Sequence, residues 1–150
     1  MDWRYRHTAL GLCTLAFFGT MVARLVISPV VPDITAQFRV SNGMIGLALS
    51  GMWVAYAIAQ FPSGLLGDRF GEKAVMLTAV GGTAVTSIGL AVSPSFPVFF
   101  VSAVLLGGAT GLHYTVATTF LTRRFDNIGR AIGVHVGGGP AAGLIAPVAA

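Results

Sequence analysis

Gly64-Leu65-Leu66-Gly67-Asp68-Arg69-Phe70-Gly71-Glu72-Lys73 joins two long apolar runs. By residue type the stretch is G-x-x-x-D-R-x-G-x-K. Upstream, no charge occurs between Arg39 and Asp68, and downstream none occurs between Lys73 and Arg123. A short charged link containing glycine, set between two such runs, is the pattern of two membrane-crossing helices joined as a hairpin. It decides the fold class: an all-α, polytopic membrane bundle.

Composition agrees. The chain is 55% hydrophobic and 9% charged, with mean hydropathy +0.81. A soluble domain carries about a quarter charged residues. The net charge of +4 comes from short basic clusters between apolar runs. A nucleic-acid binder would instead line one exposed face with Lys and Arg, so nucleic acid is not an expected partner. Cys13 is the only cysteine, which excludes an intrachain disulfide. The basic start, Arg4 to His7, resembles a signal-peptide n-region, but the apolar run behind it is too long and no A-x-A-like site closes it. It reads as a retained first helix.

A helix needs about 20 apolar residues to cross the hydrocarbon core. Five spans are expected, at about 8–31, 43–67, 74–93, 98–122 and 131–150. The uncharged run from Ala74 to Thr122 would be about 74 Å long as one helix, too long for any bilayer, so it must fold back. Ser93-Pro94-Ser95-Phe96-Pro97 is its only strong breaker. With the N-terminus inside, Arg4, Arg6, Arg69, Lys73, Arg123, Arg124 and Arg130 face the cytoplasm, only Arg39 faces out, and Arg24 lies within a span. The positive-inside rule therefore predicts a multi-pass protein of the cell membrane with a cytoplasmic N-terminus. Trp3 and Tyr5 suit the inner interface.

The charged link resembles motif A of the major facilitator superfamily, the loop after the second helix of those transporters. The resemblance rests on Gly64, Asp68, Arg69, Gly71 and Lys73; Ala74 stands where the family often has a further basic residue. It implies a cytoplasmic latch, in which the Asp68 carboxylate approaches a helix end of the other half and Arg69 pairs with a nearby acid. Asp126 is the candidate partner. The competing reading is that these charges merely hold the hairpin in place. The family builds each transporter from two six-helix halves of three-helix repeats. Five spans therefore look like an incomplete N-terminal transmembrane domain, 1–150, whose partner is the missing C-terminal half of the same protein.

Elsewhere the resemblance is thinner. Many proton-coupled members have an arginine one turn before a glycine in the fourth helix, where this chain has Gly107 before Gly111. In the fifth helix, Gly139-Pro140-Ala141-Ala142-Gly143 resembles motif C of drug-proton antiporters. Helix packing explains such glycines equally well: Gly129, Gly133 and Gly137 share one face, as do Gly139 and Gly143. Pro140 predicts a kink.

Arg24 stands out among the polar residues. A charge within a span costs at least about 2.5 kcal/mol, so it faces a cavity or a partner. Thr20, Arg24 and Ser28 form an i, i+4, i+8 stripe. The resemblance places the first and fourth helices around a central cavity, and some organic-anion members carry an arginine in the first helix. One reading makes Arg24 the grip for an anionic substrate group, through two parallel hydrogen bonds. The other has it snorkel outward or pair with an acid in the missing half. Softer substrate candidates are Tyr56 and Gln60, on one face with Trp53, and His113 and Tyr114 at mid-span. His113 and His135 could relay protons, or simply bond a neighbouring helix. No ligand spacing such as H-x-x-x-H is present, and no metal or cofactor is expected.

The expected function is secondary active or facilitative transport of a small solute by alternating access across the lipid bilayer, with a coupling ion or solute gradient as the energy source. The protein is not expected to be an enzyme, and it has no G-x-x-x-x-G-K-[ST] nucleotide motif. A small organic anion is the first substrate class. The alternatives are a multidrug or antibiotic efflux antiporter, and a membrane assembly or sensor protein that does not transport.

Overall fold

The computed structural model describes residues 3–149. The side chains of residues 3, 4 and 149 lie outside the description, and with them the interfacial roles expected of Trp3 and Arg4; so does Ala150 at the end of the fifth expected span.

The described residues form an all-α bundle of six helices: α1 Trp3–Leu25, α2 Val31–Phe38, α3 Asn42–Phe70, α4 Glu72–Ala91, α5 Phe96–Thr122 and α6 Ile128–Ala149. All but α2 are long and apolar enough to cross a membrane. Many large apolar side chains remain on the outside, among them Leu12, Leu15, Ile58, Phe61, Leu77 and Leu144. So much exposed apolar surface is untenable in water and suits lipid or further protein.

The first expected span, 8–31, is shorter at its far end. It stops at Leu25, residues 26–30 form a turn, and the chain re-enters a helix as α2. Pro29 has no N–H to continue the ladder, while Pro32 sits in the first turn of α2, where proline is tolerated. Asp33 lies in the first turn of α2. Ser28 falls in the exposed turn, so the helical stripe through Thr20 and Arg24 does not reach it.

The charged link is also shorter than expected. Gly64 to Arg69 continue α3 to Phe70, and only Gly71 separates it from α4. Gly71 has φ +88°, a conformation that glycine adopts without a Cβ penalty. Asp68 and Arg69 are thus in the last turn of α3, while Glu72 and Lys73 open α4. An acid in a first turn and a base in a last turn both complement the helix dipole. The break at Ser93–Phe96 falls where the prolines lie.

Helix α5 is the hub and the most extensively buried element. Helices α3 and α4 pack along it, and α1 packs chiefly on α6. Small residues permit the closest approach. A Cβ on Gly107 would overlap the Met52 carbonyl, and one on Gly111 would overlap the Tyr56 carbonyl. No arginine could stand at position 107 in this packing. Ser63 of α3 donates to the Leu112 carbonyl of α5 at 2.7 Å. One apolar cluster, built on Ile27, Ile34, Ile45, Met52, Phe99 and Leu106, fills the end nearer Asp33. Cys13, Ala117, Phe120 and Leu121 form another toward the Asp68 end. A polar layer lies between them.

Candidate functional site

That layer begins with α1. Its buried positions, Cys13, Phe17, Thr20 and Arg24, recur at helical spacing and face the bundle. Arg24 is only 2% exposed. Its guanidinium lies over the Tyr56 ring at 3.9 Å and over the Trp53 ring at 4.7 Å. Its Nε donates to the Thr20 carbonyl at 3.4 Å, and Nη2 lies 2.7 Å from Met21 Sδ. Nη1 is buried with no hydrogen-bond partner. The arginine therefore does not snorkel out of the bundle. No carboxylate is paired with it among the described residues. Two ring faces supply partial compensation, worth about 2 kcal/mol or more each when desolvated.

The stripe expected on α1 narrows to Arg24. Thr20 is buried and its hydroxyl donates to its own helix at the Phe17 carbonyl, 2.8 Å away. Tyr56, Gln60 and Tyr114 are half-buried, and Trp53, which is 43% exposed, meets Tyr56 edge to face.

His113, expected at mid-span, and His135, on another span, come together. His113 of α5 and His135 of α6 are fully buried with ring centroids 6.0 Å apart. Phe17 of α1 contacts both, and Tyr114 stacks on His135 at 6.3 Å. Ala131, His135, Gly138, Gly139, Ala142 and Ala146 form the buried face of α6. Gly138 and Gly139 approach α1 on that face. Gly133, Gly137, Pro140 and Gly143 lie on the exposed side of α6, so packing within this chain does not explain them.

At the Asp68 end the ion pairs differ from the expected Arg69–Asp126 pair. Asp126 is taken by Arg6 at 3.1 Å and is otherwise 98% exposed. Arg69 lies beside the Phe70 ring. Asp68 pairs with Arg123 at 3.3 Å, and Arg123 also reaches Glu72 at 3.1 Å. Arg124 completes the group, 3.0 Å from Glu72. Glu72 thus ties the α3–α4 hairpin to the end of α5, a role with no sequence signal beyond opposite charge. It is the most buried of these acids and the best placed to matter, because exposed pairs contribute at most about 1 kcal/mol. Lys73 is exposed, and a Cβ on Gly64 would meet open space.

An uncharacterized MFS-type transporter of Mycobacterium tuberculosis is 30% identical over 143 residues, 94% of this chain and 25% of that protein. A probable sulfoacetate transporter of Cupriavidus necator is 30% identical over 119 residues, 78% of this chain and 27% of its own length. The tetracenomycin C resistance and export protein of Streptomyces glaucescens is 31% identical over 142 residues, 91% of this chain and 26% of that protein. The chain thus spans about a quarter of the length of these relatives. No solved structure matches it. The family model of the Major Facilitator Superfamily matches residues 13–150. That match covers every span but the start of α1 and joins the bundle, the charged hairpin and the relatives in one conclusion: the chain belongs to the Major Facilitator Superfamily.

Proposed function

We propose that this chain is the N-terminal part of a secondary carrier for small organic anions, and that Arg24 holds the anionic group. The observation that carries this reading is the state of Arg24: buried, unpaired with any described carboxylate, and with one Nη lacking a partner. A charge kept at that cost has a use, and a substrate carboxylate or sulfonate supplies the missing partner. Trp53 and Tyr56 then act as a cover that shifts to admit the anion. The relative named as a probable sulfoacetate transporter points the same way. Efflux of drugs or antibiotics is the second reading. It is favoured by Pro140 and Gly143 on the exposed side of α6, with Gly139 turned toward α1, and by the relative named for tetracenomycin C export. In proteoliposomes of the full-length protein, exchange of sulfoacetate supports the first reading. Flux of cationic drugs with no anion flux supports the second, and no flux of either favours an assembly or sensor role.

The Asp68 end is cytoplasmic in this reading, because Arg6, Arg69, Lys73, Arg123, Arg124 and Arg130 all belong to segments at that end. With Cys13 replaced by serine, a cysteine at Ser95 reacts with an impermeant thiol reagent in intact cells. A cysteine at Asn127 reacts only after permeabilisation. Labelling of position 127 from outside contradicts the orientation.

Gly64, Asp68, Arg69, Gly71 and Lys73 form the latch, with Glu72 and Arg123 as its anchor within this chain. Asp68→Asn is expected to leave insertion and substrate affinity near normal and to remove most transport. Transport at the wild-type rate in that variant removes the latch from the account.

A further inference from the structure

His113 and His135 are fully buried, yet among the described residues Nδ1 of His113 and both ring nitrogens of His135 have no hydrogen-bond partner. Orphaned buried nitrogens cost free energy that an apolar side chain of similar size would not. The rings sit in an aromatic box. Phe17 lies 5.0 Å from His135 and 6.5 Å from His113, centroid to centroid, and Tyr114 is stacked on His135. Aromatic faces attract a cation, so the box offers an imidazolium what it cannot offer a neutral ring. Zero exposure leaves no passage for a bulkier ligand in this packing, whereas a proton needs no volume.

The neighbouring groups are few. On α1, the Cys13 carbonyl oxygen lies 3.4 Å from His113 Nε2, and the Cys13 thiol meets Met76 of α4. On α5 the titratable neighbour is Tyr114. Tyr56 of α3 and Arg24 of α1 stand farther toward the Asp33 end. The described acids Asp33, Asp68, Glu72 and Asp126 all lie at the ends of spans, so none neutralises the pair. Two charged imidazoles side by side would repel, which limits the pair to one charge.

We propose that His113 and His135 together bind a single proton, and that this proton is coupled to the anion held by Arg24. The coupling rests on the anion reading given above. Phe17 and Arg24 share one face of α1, seven residues or about 10 Å apart. An anion at Arg24 brings negative charge to an interior whose described residues hold no carboxylate, and so favours the proton. By linkage the proton favours the anion equally. Uptake of anion and proton together follows.

The test uses the full-length carrier in lipid bilayers and sulfoacetate, which is fully ionised above about pH 6. Wild-type affinity should rise as pH falls from about 8 to about 6, by up to about tenfold per unit for one linked proton. The profile should be flat in His113→Gln and in His135→Gln. A flat wild-type profile, or wild-type steepness in both variants, overturns the coupling. Nitrogen spectra of ring-labelled histidine in the wild type judge the proton site without substrate or substitution. At about pH 5 one imidazolium should appear in contact with the Phe17 ring; two neutral rings there, or two imidazolium signals, overturn the site. Absence of sulfoacetate binding at every pH counts against the anion reading and the coupling, and the nitrogen spectra then decide the proton site alone.

Discussion

Replacing Arg24 by alanine is expected to weaken binding of the anionic substrate by about a hundredfold or more in the full-length carrier. Two charge-assisted hydrogen bonds are lost, at about 1.5–3 kcal/mol each. The amount of folded protein should stay level or rise. The substitution removes a buried charge that no described carboxylate compensates, and such charges are poor contributors to stability. Arg24→Lys should bind about tenfold more weakly than wild type, because an ammonium keeps the charge but loses the two-pronged geometry. Binding titrations on purified wild type and both variants check this, with thermal unfolding of each as the control. A structural role for Arg24 gives the opposite pattern: less folded protein, and ordinary affinity in what survives.

The other large effect concerns the seam between α3 and α5. Gly107→Leu should prevent the two helices from closing, because a Cβ there meets the Met52 backbone, which cannot rotate away as a side chain can. Overpacking typically costs about 1–3 kcal/mol, and a clash with backbone that cannot move aside falls at or above the upper end. The expected result is little or no monodisperse protein after extraction. Gly108→Ala is the matched control. A Cβ at Gly108 meets nothing within 4 Å, and alanine favours the helix by about 1 kcal/mol over glycine. Normal yield and melting temperature for Gly107→Leu contradict the packing of this seam.

Much of the architecture was legible in the chain because a bilayer imposes it. Uncharged runs of span length, a proline break at Ser93–Phe96 and a charged link at Gly64–Lys73 mark four of the five spans closely. Helix ends were less legible. Hydropathy senses the hydrocarbon boundary, whereas backbone hydrogen bonding continues past it, so α3 runs through Asp68 and Arg69 to Phe70. The short helix α2 was hidden because the apolar stretch through Pro29 reads as one span to Val31 and leaves few residues before Arg39 for a further helix.

The candidate site divides in the same way. Arg24 was visible by its cost alone. What surrounds it was only half visible: the face of Trp53 and Tyr56 could be read from α3, but not that it closes over the guanidinium. Contacts between distant segments carried no signal. Arg6 meets Asp126 across 120 positions, and His113 meets His135 through the tilt and register of two helices.

The most direct test of the caged arginine is the fluorescence of Trp53 as sulfoacetate is added to the purified full-length carrier. The Trp53→Phe variant isolates the Trp53 contribution by difference. A saturable change in Trp53 emission that tracks anion binding, and that disappears in Arg24→Ala together with binding, is the predicted result. Anion binding that persists in Arg24→Ala, with Trp53 emission unchanged on saturation of the wild type, would contradict it and place the anion elsewhere in the carrier.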